Sequence, residues 1–158
     1  MTSESFEIFA WQVGGGTLAL SPMPKGAGLQ TLMDWRPDLV LTMTEMSELA
    51  LAGIGDLGTR LTAQRIGWHH LPVRDFGVPV AFDWGVVPAH VLPLLATGGK
   101  VLVHCKGGCG RSGMMVLRLM IAAGESPDGA LKRLRDLRPC AVETAAQLAW
   151  ATQDGRVG

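Results

Sequence analysis

Tyrosine is missing from this chain altogether, cysteine occurs only three times, and neither sign of charge is in excess, with Lys plus Arg and Asp plus Glu both at 14. Each shortage removes a class of function. Balanced charge gives no bulk attraction to nucleic acid or to an anionic membrane surface. Three cysteines, at 105, 109 and 140, are odd in number and too few for the disulfide framework of a small secreted domain. The most apolar run, "MMVLRLMIAA" at 114–123, is too short to span a bilayer and carries Arg118, so stable membrane insertion is not expected. "MTSESFEIFAW" has neither the basic nor the apolar region of a signal peptide. His69, His70 and His90 have no acidic or thiol partners at ligand spacing, so no metal and no other cofactor is expected. A reducing, cytoplasmic setting is the resulting expectation.

What the chain does have is glycine, 21 residues of it, and a succession of short apolar runs. "FEIFAW" (6–11) and "TLAL" (17–20) suit strands about a glycine turn, and "SPMPKGAG" (21–28) suits a loop. "LVLTM" (39–43) suits a buried strand, and 45–52 and 56–65 suit helices. A strand is favoured over 66–73, followed by the loop "RDFGVP" (74–79). Apolar residues at 82, 86, 87, 91, 94 and 95 predict a helix over 82–97 despite two internal prolines. "KVLVH" (100–104) reads as a central strand, and the helix after it is apolar almost all round, so it must be covered. Ser126 before Pro127 starts another helix, and "AVETAAQLAWAT" (141–152) forms the last. With no repeat and no linker, the expectation is one α/β domain over 1–158. Its central, mostly parallel sheet is flanked by helices, with 1–35 as N-terminal strands and loop and 36–152 as the core.

One stretch stands apart: "GGKVLVHCKGGCGRSGMMVLRLMIAAG", residues 98–124. A strand runs into His104 and Cys105, bends through glycines 107, 108 and 110, and enters a helix at Arg111 and Ser112. Such a bend can turn successive backbone N–H groups inward as an anion nest above the positive end of the helix. Arg111 adds a planar fork that fits two oxygens of a phosphate. Donors that hold an oxyanion also favour the thiolate of Cys105, so a nucleophile and an oxyanion clamp share one loop. A nucleotide-binding P-loop would need Lys where Arg111 stands, and would have no use for a cysteine under the phosphate.

"VHCKGGCGRSG" resembles the signature loop of the cysteine-dependent protein tyrosine phosphatases, within their compact dual-specificity group. The layout from 39 to 147 is similar to that of the kinase-associated phosphatase and its bacterial relatives. The resemblance implies that the Cys105 thiolate attacks a phosphate monoester in line to give a phosphocysteine. Arg111 and the amides of Lys106, Gly107, Gly108, Cys109 and Gly110 would hold the equatorial oxygens. It implies support of the nucleophile by His104, although a histidine at a strand end can equally be a packed core residue. Ser112 would hydrogen-bond the sulfur, and Gln147 would orient water for the second step, with Glu143 a weaker alternative.

The family's general acid is an aspartate about thirty residues before the nucleophile, between prolines. "LPVRDFGVP" places Asp75 there, with Asp83 as the runner-up, more simply explained as a helix-start charge. An acid that must be protonated while the thiolate is charged gives a bell-shaped pH profile. Lys106 is either a solvated charge or a selector of extra negative charge, and Trp35 and Arg36 could border the pocket or simply precede a buried strand. Cys109 departs from the family pattern, where an apolar residue is usual; as a second thiol it could pair with Cys105 as a redox partner.

The expected function is hydrolysis of phosphate monoesters, on phosphotyrosine and phosphoserine or phosphothreonine in proteins, by a monomer. Phosphoinositides or small phosphorylated metabolites are the alternative substrates. A non-catalytic phospho-ligand module would predict loss of Cys105, Arg111 or the acid, and all are present. An arsenate-handling thiol enzyme would need a thiol relay, whereas Asp75 favours ester hydrolysis.

Overall fold

Residues 6–80 and 84–153 are described by the computed structural model. They form β1 (Phe9–Val13), β2 (Gly16–Ser21), α1 (Ala27–Trp35), β3 (Leu39–Thr42), α2 (Met46–Leu51) and α3 (Leu57–Ala63). The second half holds β4 (Gly67–His70), α4 (Val86–Ala96), β5 (Lys100–His104), α5 (Gly110–Ala122), α6 (Pro127–Leu137) and α7 (Ala145–Ala151). The strands make one sheet in the order β1-β2-β5-β3-β4. Only β1–β2 is antiparallel; β2–β5, β5–β3 and β3–β4 run parallel. The expected α/β architecture with a mostly parallel sheet is the one observed.

Side chains on a strand alternate between faces, and the two central strands use both. Leu39, Leu41, Val101 and Val103 point into one core, with α4 to α7. Val40 and Leu102 point into the other, with α1, α2 and α3. Since β5 lies between β2 and β3, the residue after it emerges at the middle of the carboxyl edge, where parallel α/β sheets place ligands. That residue is Cys105. Helix α5 then runs under the sheet, buried from Gly110 to Met120, as its apolar circumference demands. Its one charge there beyond the first turn, Arg118, is sandwiched by Trp84 and Trp150 at 4.3 and 4.4 Å.

Three expectations need correction. Residues 27–35, read as part of a loop, form α1: Leu29 and Leu32 share its inward face, but two glycines and the lack of a capping side chain hid its start. The last helix begins only at Ala145, because Thr144 caps it and 141–143 approach it as loop. The cysteines are not all free: Cys109 and Cys140 are joined in a disulfide, their Cα atoms 5.2 Å apart. Packing of the α6–α7 connection against the 105–111 loop brings together two residues that are 31 positions apart.

Candidate active site

Cys105 is the single free cysteine and is buried, its Sγ 3.2 Å from Ser112 Oγ in the first turn of α5. The loop between them owes its shape to what grips it from outside. Met23 N–H donates to Lys106 O, Arg138 donates to the carbonyls of Gly107 and Gly108, and Cys109 O accepts from the N–H groups of Val142 and Gly113. Four successive carbonyls are thus turned away from the basin. In a trans peptide the N–H of each unit points opposite its C=O, so the following N–H groups face inward. None of the N–H groups from Lys106 to Arg111 donates to a described residue. Of the three loop glycines only Gly108 has a positive φ, +72°, and a Cβ there would lie 2.8 Å from Pro22 N. Gly107 has open space, so its glycine is not dictated by the backbone.

Arg111 is 1% exposed and held on three sides. Its two terminal nitrogens make a bidentate pair with Glu48 at 2.7 and 2.8 Å, one also donates to Val73 O at 3.0 Å, and Asp75 Oδ1 stands 3.4 Å away. Burial pushes the Glu48 carboxyl up, but hydrogen bonds from Arg111 and from the Glu45 backbone outweigh it and hold the group below its ordinary range. Burial works against the charge of Arg111 as well, and Glu48, Cys105 and Asp75 more than restore it. Glu48 was not foreseen. Its only signal was the spacing from Glu45, which with it forms the capping box of α2 and aims its carboxylate. The Arg111 Nε–H is left buried with no acceptor among the described residues.

Beneath the nucleophile, Trp68 Nε1–H donates to Thr42 Oγ1 at 2.7 Å, and that hydroxyl lies 2.8 Å from His104 Nε2. His104 Nδ1 lies 3.3 Å from Cys105 O, which can only accept. Nδ1 therefore carries the proton, and Nε2 accepts from Thr42. Complete burial lowers the His104 pKa to about 4, so the ring is neutral and braces the Cys105 carbonyl as a dipole.

Asp75 lies in the 74–79 loop across the basin, its side chain 45% exposed. Its Oδ1 accepts from Phe76 N–H, and Phe76, exposed and at a φ of 64°, caps the turn closed by Gly77 N–H on Arg74 O. Gln147 Nε2 donates to Gly77 O, while its Oε1 accepts from the N–H groups of Glu143 and Thr144. Asp75, Phe76, Cys105, Lys106, Gly107, Cys109, Gly110 and Glu143 together line a basin of about 180 Å³. Asp83 lies outside the described residues. Trp35 and Arg36 end α1, with Lys100 Nζ 4.2 Å from the Trp35 ring centroid, and neither lines the basin.

The pairing of Cys109 with Cys105 is not the one formed. Cys109 is held by Cys140, and Arg138, two residues earlier, reaches the same stretch of loop. Arg138 was also missed, since an arginine near a helix end reads as a solvated charge. It stacks on Phe9 at 4.5 Å and reaches the loop carbonyls from there.

Residues 7–150 match the model of a family described as "Swiss Army Knife protein, DSP-PTPase phosphatase domain". Human cyclin-dependent kinase inhibitor 3 is 34% identical over 82 residues, which is 50% of this chain and 39% of that protein. The rat counterpart is 29% identical over 126 residues, covering 78% and 56%. The chain thus spans about half the length of the curated relatives it matches. Among solved structures, kinase associated phosphatase (KAP) carrying a serine at its catalytic-site cysteine superposes with a TM-score of 0.82 at 22% identity, over 95% of this chain and 94% of that one. Tk-PTP in its active form has a TM-score of 0.70 at 30% identity, over 88% and 90%. A free cysteine at the end of the central strand, a loop of inward amides and a buried arginine are what such a family requires, and the chain belongs to the DSP-PTPase phosphatase domain family of cysteine-based phosphatases.

Proposed function

We propose that the domain is a cytoplasmic, monomeric phosphatase that hydrolyses phosphotyrosine and phosphoserine or phosphothreonine in proteins through a phosphocysteine on Cys105. The observation that carries this is the buried Arg111 Nε–H without an acceptor, beside a ring of inward N–H groups and a free thiol. A phosphoryl group would supply the acceptors, and its phosphorus would face the sulfur.

In the first step the Cys105–phosphorus bond forms as the ester bond breaks, and Asp75 passes its proton to the leaving oxygen. In the second, water attacks phosphorus, the phosphorus–sulfur bond breaks, and Asp75 takes the proton from that water. Ser112 O–H donates to the departing sulfur. For Gln147 to orient the water, its Nε2 must exchange Gly77 O for it; otherwise it serves as the tether of the acid loop. In a cytoplasmic setting the Cys109–Cys140 bond is exposed to a reducing thiol pool.

The test is hydrolysis of p-nitrophenyl phosphate and of phosphotyrosyl and phosphoseryl peptides by the native chain and by Cys105→Ser. Turnover by the first and none by the second, with a phosphorylated cysteine recovered from acid-quenched enzyme, is the expected result. Turnover that survives Cys105→Ser overturns the proposal.

A further inference from the structure

A second cavity, of about 500 Å³, opens beside the catalytic basin between α2 and the chain running into α1. Phe6, Met23 and Leu51 are the largest apolar residues of its lining, and Lys25 and Lys106 are its cations. Lys106 also lines the basin, so the two cavities meet at that residue. Among the described residues the sole carboxylate lining the groove is Glu48, and both of its oxygens are taken by Arg111. Neither Lys25 nor Lys106 forms an ion pair with a described residue. Two cations without an ion-pair partner among the described residues, Lys106 acting on Glu48 only at longer range, therefore share the groove with an apolar lining that includes Leu51, 90% exposed.

Resting on the phosphatase reading, we propose that this groove is a specificity site for the substrate's polypeptide. It takes the segment flanking the phosphorylated residue when that segment carries an acidic or second phosphorylated side chain next to an apolar one. The anion pairs with Lys25 and Lys106, and the apolar side chain covers Phe6, Met23 and Leu51. An extended peptide displays unlike side chains in close succession, which fits two cations and apolar side chains in one groove. A lipid fits less well: a chain with 14 residues of each charge sign has no net pull toward an anionic bilayer.

The test compares kcat/KM for three probes. They are p-nitrophenyl phosphate, a phosphotyrosyl peptide with neutral polar flanks, and the same peptide with Glu and Leu introduced on either side. The native chain is expected to prefer one acidic-apolar register by about tenfold. Lys25→Gln should abolish that preference through KM while leaving p-nitrophenyl phosphate within about twofold, and Leu51→Ser should weaken it with no change of charge. Equal use of the two peptides, or a preference retained by Lys25→Gln, overturns the groove assignment. A dependence on Lys25 seen only with vesicles containing phosphoinositide overturns it in favour of a lipid headgroup. Failure of the native chain to cleave p-nitrophenyl phosphate overturns the phosphatase reading and the groove's role together.

Discussion

Two loops face each other across the basin, and they are held in opposite ways. The 105–111 loop is gripped from behind by Arg138, by a disulfide, by two backbone N–H groups from 23 and 142, and by the first turn of α5. The 74–79 loop is held by one bond from Gln147 and by a 3.4 Å approach of its carboxylate to Arg111, which also donates to Val73 O just before the loop. The first must present donors in one geometry as charge develops, so rigidity serves it. In the proposed mechanism the second brings a proton to an oxygen whose position depends on the substrate, so exposure and few anchors serve it. Binding should therefore belong to one loop and proton delivery to the other.

The hardest blow to the rigid loop is Arg111→Lys. It keeps a charge but loses the planar fork and leaves Glu48 poorly paired, and kcat/KM should fall by about a thousandfold. Steady-state kinetics with p-nitrophenyl phosphate checks it; a loss under tenfold would mean that the inward amides suffice.

Next comes the staple. Under oxidising conditions Cys140→Ser should cost about 2–4 kcal/mol of stability in denaturant unfolding. Reductant should lower the native chain to the level of the variant and leave the variant where it was. If reductant destabilises both alike, the disulfide is not the clamp.

His104 gives the rigid loop a pH dependence of its own. The unfolded chain protonates this ring near pH 6.5 and the folded chain only near 4, so between those values the unfolded state binds more protons. Stability is full above 6.5 and falls as the pH drops toward 4, by at most about 3 kcal/mol. The depressed Glu48 carboxyl acts lower, its contribution lost only as pH falls below its ordinary value of 4.5. His104→Gln should flatten unfolding free energy across 4–6.5 in denaturant titrations; an unchanged slope would place the titration elsewhere.

The smallest effect belongs to the tether of the 74–79 loop. Gln147→Glu keeps the oxygen that caps α7 but loses the donor to Gly77 O. It should lower kcat by about fivefold and leave vanadate affinity unchanged. A matching loss of vanadate affinity would show that the two loops are one unit.

These residues also show how far the chain could be read in advance. The nucleophile loop was legible because it is contiguous: strand, Cys105, glycines, Arg111 and apolar helix follow one another in the sequence. The central strands were legible too, being short apolar runs between turn residues. Glu48, Arg138 and the Cys109–Cys140 bond were not, because each acts across the fold and looks locally like a surface charge or a spare thiol. The start of α1 was hidden for a different reason: its helix is maintained by Leu29 and Leu32 against the sheet, which no cap or propensity announces.

The division of labour between the loops is tested most directly by the leaving-group dependence of kcat/KM over a series of aryl phosphates, measured for the native chain and for Asp75→Asn. A proton donor neutralises the leaving oxygen, so the native chain should be nearly indifferent to leaving-group acidity. Asp75→Asn should show a steep dependence, losing most on the poorest leaving groups, while its affinity for vanadate stays within about twofold. Parallel slopes for the two proteins, or a collapse of vanadate affinity in the variant, would contradict the account.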